Sequence, residues 1–181
     1  MKIALVGSHG TGKTTLAKIL ATELNLRIIP EGAREVLDKY KVNSDCSKLS
    51  PILTAMIQHE IYMNHKLLYR NAGNDFVADR TVIDALAYSY HWFGHNLDLQ
   101  PLLDYCRQEV IDSKKEYDYF FLIPPHGIVE ADSHRLGSTH FQDTIHFLIK
   151  GILDKYAFNY FYIGEQEIEH RIEEIVSICQ Q

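Results

Sequence analysis

The run Gly7-Ser8-His9-Gly10-Thr11-Gly12-Lys13-Thr14 fits the spacing G-x-x-x-x-G-K-[ST], and Thr15 follows it directly. Glycines at this spacing let successive backbone N–H groups close around phosphate oxygens, and the positive end of a following helix reinforces them. Gly7, His9, Gly10, Thr11, Gly12, Lys13, Thr14 and Thr15 are therefore the expected nucleotide cradle. Lys13 brings a point charge to the β and γ phosphates. The Thr14 hydroxyl is a ligand for Mg²⁺, an ion that keeps most of its waters and is shared between protein and nucleotide. The plain alternative is a glycine turn with an exposed lysine. It does not explain why the run sits between an apolar strand segment and a helical one.

Ligands of an open parallel sheet collect beyond the carboxyl ends of its strands, so charges just after strand segments are the next to weigh. Glu31 and Arg34 follow the second such segment, Asp79 and Arg80 the third, and His134 and Arg135 lie in a long stretch after the fourth. Asp79 suits a water-mediated hold on the metal, against the ordinary reading of an acid near a helix N-terminus. Arg80 offers a planar donor fork for phosphate or ribose. Glu31 suits a general base or orienter for an acceptor hydroxyl, with a solvated glutamate as the competing view, and Arg34 is its weaker companion. Arg135 is the candidate lid arginine that covers the transferring phosphate, against an ordinary loop arginine. Thr81 and Asp84 read simply as a helix capping box. Gln58 falls mid-helix where an amide could read a nucleobase edge, although a solvent-facing glutamine is commoner. The histidines at 126, 134, 140 and 146 lack the paired spacing of a zinc site.

The elements that must position these residues alternate regularly. Residues 3–6 form a continuous apolar run, the mark of a central parallel strand, and Leu16, Ile19, Leu20 and Leu24 then recur at helical spacing. Further strands are predicted at 27–29, 76–78, 119–123 and 160–163. Ser50 and Pro51 open a helix that ends at 71–74, and Thr81-x-x-Asp84 opens another that runs to Gly94. A helix is expected between Pro101 and Ser113. Thr139-x-x-Gln142 reads as a capping box for an amphipathic helix with Phe141, Ile145, Leu148, Ile149, Ile152 and Leu153 on one face, and a last helix follows the fifth strand. The expected fold class is α/β: a P-loop NTPase with a parallel five-stranded sheet between helices, as one domain over 1–181, with residues 124–138 as its lid.

Composition sets the outer limits. The chain has 181 residues, 46% apolar and 23% charged, which suits one globular unit and excludes whole-chain disorder. Its net charge of −6 argues against a nucleic-acid coat protein and is expected to surround a small positive cleft at Lys13, Arg34, Arg80 and Arg135. Cys46, Cys106 and Cys179 read as free thiols in a reducing compartment. No leader or membrane-length apolar run is visible, so a cytoplasmic protein is expected. Composition leaves the oligomeric state open, a homodimer included.

A phosphate loop alone does not name a reaction. Asp79 is followed by Arg80 where a motor ATPase would carry a second carboxylate, no N-K-x-D guanine motif occurs, and the length leaves no room for the second domain of a typical AAA+ machine. On the phosphate loop, Glu31-x-x-Arg34, Asp79-Arg80-Thr81 and a late lid arginine, the chain resembles the small P-loop nucleoside and nucleotide kinases. The resemblance is strongest to the branch with nicotinamide riboside kinase domains, with deoxynucleoside and thymidylate kinases as cousins. It implies ATP and Mg as cofactors, a contact of Glu31 with the acceptor hydroxyl, metal and substrate roles for Asp79 and Arg80, and base reading by Gln58. The implied function is transfer of the ATP γ-phosphate to a nucleoside or nucleoside monophosphate. The family tends to carry several lid arginines, whereas residues 124–138 contain only Arg135. An ATP-binding regulatory module and a kinase of polynucleotide ends are the alternatives.

Overall fold

A computed structural model describes residues 1–42, 46–126, 139–164 and 167–181 of the chain. Most of the predicted lid, with His134 and Arg135, lies outside the described residues. Five strands form one parallel sheet: β1 (Lys2–Val6), β2 (Arg27–Ile29), β3 (Phe76–Asp79), β4 (Tyr119–Leu122) and β5 (Phe161–Tyr162), in the order β2-β3-β1-β4-β5. The five predicted strands and the predicted fold class are those observed. Strand β3 runs one residue further than expected and so takes in Asp79, while β5 is shorter than its apolar run.

Alternation along β1 explains the two layers. Ile3 and Leu5 point to one face, where they pack with Leu16 and Leu20 of α1 (Lys13–Glu23) and Ile175 of α7 (Ile168–Cys179). Ala4 and Val6 point to the other face. There they share a core with α3 (Pro51–Arg70), α4 (Val82–Phe93), α5 (Gln100–Asp112) and α6 (Thr139–Lys155). Ile3, Leu5 and Val6 are fully buried, at about 1.5–3 kcal/mol for each such side chain, so β1 is anchored from both sides. Its register is then fixed: Leu5 stands opposite Asp79 on β3, and Val6 opposite Leu122 on β4. That register lines up the strand ends that carry the phosphate loop and Asp79.

Local signals set the helix starts. The Ser50 hydroxyl accepts from the Leu53 N–H at 3.2 Å with Pro51 in the first turn of α3, and both halves of the Thr81–Asp84 capping box are formed at α4. Helix α2 (Ala33–Tyr40) had no periodic signal because only two turns form and only Val36 and Leu37 are buried. The capping box expected at Thr139 is corrected: Thr139 already lies within α6, and the Gln142 amide donates to the His9 carbonyl at 2.8 Å. The Gln142 side chain turns inward to the loop and away from the exposed helix end. All three cysteines are buried and outside any disulfide. No described helix is long and apolar enough to cross a membrane.

His65 on α3 is buried, its Nε2 3.3 Å from the Tyr117 hydroxyl, and burial pushes its imidazole down to about 4. A folded value below the unfolded one, about 6.5, means that the unfolded chain takes up the proton first. Stability contributed by neutral His65 is therefore full above pH 6.5 and is lost as the pH falls towards about 4. Burial also lowers His91, His126 and His146, which act in the same sense. The thermal midpoint is expected to drop between pH 7 and pH 5, and the His65→Gln chain to show a shallower slope over that interval in a calorimetric pH series.

Candidate active site

The phosphate loop leaves β1 at Gly7, whose φ of 156° places the missing side chain against a neighbouring strand. A Cβ there would stand 2.4 Å from the Ile123 carbonyl oxygen, so only glycine lets the loop leave β1 beside β4. Gly12, at φ 85°, is the left-handed N-cap that turns the loop into α1. The loop is held from below. The Gly7 N–H donates to Asp84 Oδ1 at 3.1 Å, and Lys13 folds back to donate to the Ser8 carbonyl at 2.5 Å and to Thr11 Oγ1 at 3.0 Å. The Thr14 hydroxyl donates to Asp79 Oδ2 at 2.6 Å. Those two residues, 65 positions apart in sequence, meet because β1 and β3 are direct neighbours.

Arg80 is the hinge of the site. Its φ of 82° is left-handed, a conformation that costs a non-glycine residue about 1–3 kcal/mol and persists only where the surroundings impose it. Here it aims the guanidinium back over the strand end. Arg80 Nε stands 2.6 Å from Glu31 Oε1, Nη1 lies 3.6 Å from Asp84 Oδ1 and donates to the Gly7 carbonyl at 3.4 Å, and the Tyr88 ring lies 5.6 Å beneath. Arg34 Nε reaches only 3.9 Å from Glu31 Oε2 and is half exposed, so it is the outer member of the group.

Burial dominates the electrostatics. It pushes the Lys13 ammonium down to about 8, helped by Arg80 and opposed by Asp84, Asp79 and Glu31. The same burial raises the Asp84 carboxyl, against the pull of Arg80 and Lys13. Burial works against the Arg80 charge too, but Glu31, Tyr88, Asp84 and Asp79 together hold it well above its ordinary value. The expectation of a positive cleft is therefore corrected. Lys13, Arg34 and Arg80 face Glu31, Asp79 and Asp84, so at the strand ends the cations are balanced by carboxylates. Buried cations need partners, and the strand ends supply them.

Two cavities open from this group and share Glu31 and Arg80. One is a groove along the phosphate loop from Gly10 to Thr15, with Asp79 at its side. The other is a cleft between α2, α3 and α4, walled by Leu37, Ile61 and Tyr88, with Gln58 and His65 reaching in from α3. Gln58 is 6% exposed and is not the solvent-facing glutamine of the ordinary reading. His9 belongs to this second cleft by its side chain: Nδ1 lies 3.2 Å from the Tyr88 hydroxyl, and the ring packs on Phe141 at 5.1 Å.

Sequence reasoning missed three residues. The sequence marks Asp84 as a cap only, yet it caps α4, accepts from the loop N–H of Gly7 and faces Arg80. Gln142 of α6 and Arg171 of α7 support the loop from the far side, Arg171 Nη1 donating to the Thr11 carbonyl at 3.1 Å. The signal for both was a polar residue on an apolar stripe: Gln142 lies beside Phe141 and three positions before Ile145, and Arg171 lies between Ile168 and Ile175.

Two outcomes follow from this geometry. Lys13 must carry its proton to meet a phosphate, so ATP affinity is expected to fall as the pH passes about 8, by up to roughly tenfold per unit, in a calorimetric titration. The substitution Arg171→Met keeps an unbranched stem and removes the bond to the Thr11 carbonyl. It is expected to weaken ATP binding about tenfold, the worth of one hydrogen bond from a charged donor, with the secondary structure unchanged by circular dichroism.

Solved structures share this fold. NadR in complex with NR superposes with a TM-score of 0.72 at 18% identity, over 97% of this chain and 48% of that one, so the chain spans about half the length of NadR. Deoxyadenosine kinase from M. mycoides with bound dCTP gives a TM-score of 0.75 at 17% identity over 99% of both chains. Shikimate kinase from Aquifex aeolicus gives 0.60 at 16% identity, over 99% and 96%. No curated protein sequence matches the chain significantly. The fold is thus the one implied by the resemblance to small P-loop kinases. A model of the AAA domain family AAA_28 matches residues 2–171, nearly the whole length, and the chain belongs to that family.

Proposed function

We propose that the protein is a kinase that transfers the γ-phosphoryl group of ATP to a nucleoside or nucleoside monophosphate. The observation that carries this reading is the meeting of two cavities at Glu31 and Arg80, one lined by the phosphate loop and the other by apolar walls with a buried amide. A donor phosphate in the first and an acceptor in the second bring the reacting oxygen and phosphorus together at the shared pair. The acceptor cleft suits a planar base between Leu37, Ile61 and Tyr88, with Gln58 offering a donor and an acceptor to its edge. NadR bound to NR and deoxyadenosine kinase bound to dCTP are kindred in fold, which supports a nucleoside-type acceptor.

Lys13 and Arg80 would stabilise charge on the transferring group, the main demand of this chemistry, with Arg135 as the lid arginine. Thr14 and Asp79, 2.6 Å apart, are the residues that would hold Mg²⁺. A bound Mg²⁺ would supply charge neutralisation, which a balanced site needs in order to accept a triphosphate. For a hydroxyl acceptor, Glu31 takes the proton as the oxygen bonds to the γ phosphorus and the bond to the leaving ADP breaks. A single domain over 1–181, with 124–138 as its lid, is part of the same proposal. So is a reducing, cytoplasmic setting, with which three buried thiols outside any disulfide accord.

Glu31 has a second duty that bears on the test. It is the ion partner of Arg80, so Glu31→Gln also loosens Arg80 and is not silent even with a phosphate acceptor. Transfer from γ-labelled ATP is to be measured across nucleosides, nucleoside monophosphates, nicotinamide riboside and oligonucleotides. Lys13→Ala is expected to lower kcat/KM about 10²- to 10³-fold. Glu31→Gln is expected to cost about 10²-fold or more with a hydroxyl acceptor and to remove the acid limb of its pH profile. With a phosphate acceptor the loss is smaller and the limb is kept. Tight ATP binding with no transfer to any acceptor would overturn the kinase reading in favour of a regulatory module.

A further inference from the structure

The acceptor cleft contains a hydroxyl that the proposed reaction does not use. Glu31 and Arg80 hold each other, Thr81 and Asp84 are engaged in the helix cap, and His65 lies against the Tyr117 hydroxyl. Gln58 is assigned to the base. Tyr88 of α4 has its ring under the Arg80 guanidinium, 5.6 Å away, so it adjoins the end shared by the two cavities, where the acceptor oxygen must react. Its hydroxyl stands 3.2 Å from Nδ1 of His9 in the phosphate loop. Burial raises that hydroxyl above its ordinary value, so it keeps its proton at neutral pH. His9 is itself fixed from two sides: its ring packs on Phe141 at 5.1 Å, and its carbonyl accepts from Gln142 at 2.8 Å. The Tyr88 ring meets Phe141 as well, at 6.1 Å. Contacts within the protein thus place the Tyr88 hydroxyl at the edge of the cleft.

The pair works with either tautomer of His9. If the Tyr88 O–H donates to Nδ1, its oxygen can still accept; if an N–H at Nδ1 donates, the Tyr88 O–H can still donate. A hydroxyl on the acceptor suits both cases, because a hydroxyl gives and takes a hydrogen bond. In a nucleoside that reacts at its 5′-oxygen, the 3′-hydroxyl sits on the ring carbon beside the one that bears the reacting arm. It therefore lies at the reacting end of the cleft, as Tyr88 does. We infer, on the kinase reading above and for a nucleoside acceptor, that Tyr88 reads the 3′-hydroxyl of the acceptor sugar, with His9 as its positioning residue. An acceptor without that hydroxyl leaves the Tyr88 oxygen unmet in a water-poor cleft, and a site built to bind a hydroxyl rejects the analogue that lacks it. One residue of the phosphate loop then serves the choice of acceptor.

Matched acceptors that differ by this one hydroxyl provide the test. Transfer from γ-labelled ATP is to be measured with deoxyadenosine, deoxyguanosine, deoxycytidine, thymidine and nicotinamide riboside, each against the counterpart that lacks only the 3′-hydroxyl. The deoxynucleoside monophosphates are run alongside. In the parent chain kcat/KM is expected to be at least about tenfold lower for the member without the hydroxyl. Tyr88→Phe keeps the ring under Arg80 and removes only the oxygen, and the ratio is expected to fall to about threefold or less. His9→Phe is expected to lower it in the same direction. His9→Asn puts an amide where Nδ1 stands and is expected to restore it. Thermal unfolding checks that each variant folds, and calorimetric binding of the same pairs without ATP gives a ratio that does not depend on turnover. A parent chain that treats both members of a pair alike overturns the inference, as does a folded Tyr88→Phe chain that keeps the full ratio. A folded His9→Phe chain at the parent's ratio, or a His9→Asn chain no better than His9→Phe, overturns the role of His9. Transfer to monophosphates but to no nucleoside overturns this inference and leaves the kinase reading standing, whereas transfer to neither overturns both.

Discussion

Two cations, Lys13 and Arg80, are taken out of water at the carboxyl edge of the sheet, and most of the site is arranged to make that tolerable. An uncompensated buried charge costs several kcal/mol, so carboxylates must come with them. Asp79 arrives because β3 pairs directly with β1, Asp84 because α4 starts immediately after β3, and Glu31 because β2 ends beside β3. The left-handed backbone at Arg80 follows from the same requirement, since it swings the guanidinium towards Glu31. Sheet order, register and one strained residue thus serve a single electrostatic condition. The groove is formed in advance, with its cations already paired to carboxylates.

The fold was legible because its signals are local or periodic. Continuous apolar runs marked the strands, and Ser50-Pro51 and Thr81-x-x-Asp84 marked two helix starts that form as expected. The phosphate loop was legible for a related reason: its chemistry lies in consecutive backbone groups, so its residues are contiguous. Charges placed after strands also pointed the right way, since Glu31, Asp79 and Arg80 do meet. Balance among them was not legible. Net charge counts residues, whereas the charge of a cleft depends on which side chains turn inward, and Asp84 turns inward while satisfying its cap.

What escaped reading was support that arrives across long sequence separations. Gln142 and Arg171 each sit on an apolar stripe and spend their donors on loop carbonyls far away in the chain. The Thr139 capping box does not form because Thr139 is itself helical and Gln142 turns inward to the loop. His9 shows the converse. Its place in the loop motif suggested a role towards phosphate, but Tyr88 and Phe141 draw its ring to the other cleft. A motif fixes the path of the backbone more firmly than it fixes where a variable side chain points.

Helix α6 holds the His9 carbonyl across 133 residues of sequence, and α7 holds the Thr11 carbonyl across 160. The loop leaves the ribosome before α6 and α7 and is therefore finished only after both have been made. While the chain is being made, the glycines and Lys13 are present long before the two helices that brace them. A nascent or truncated product that carries the whole motif but stops before α6 and α7 would lack the brace behind it.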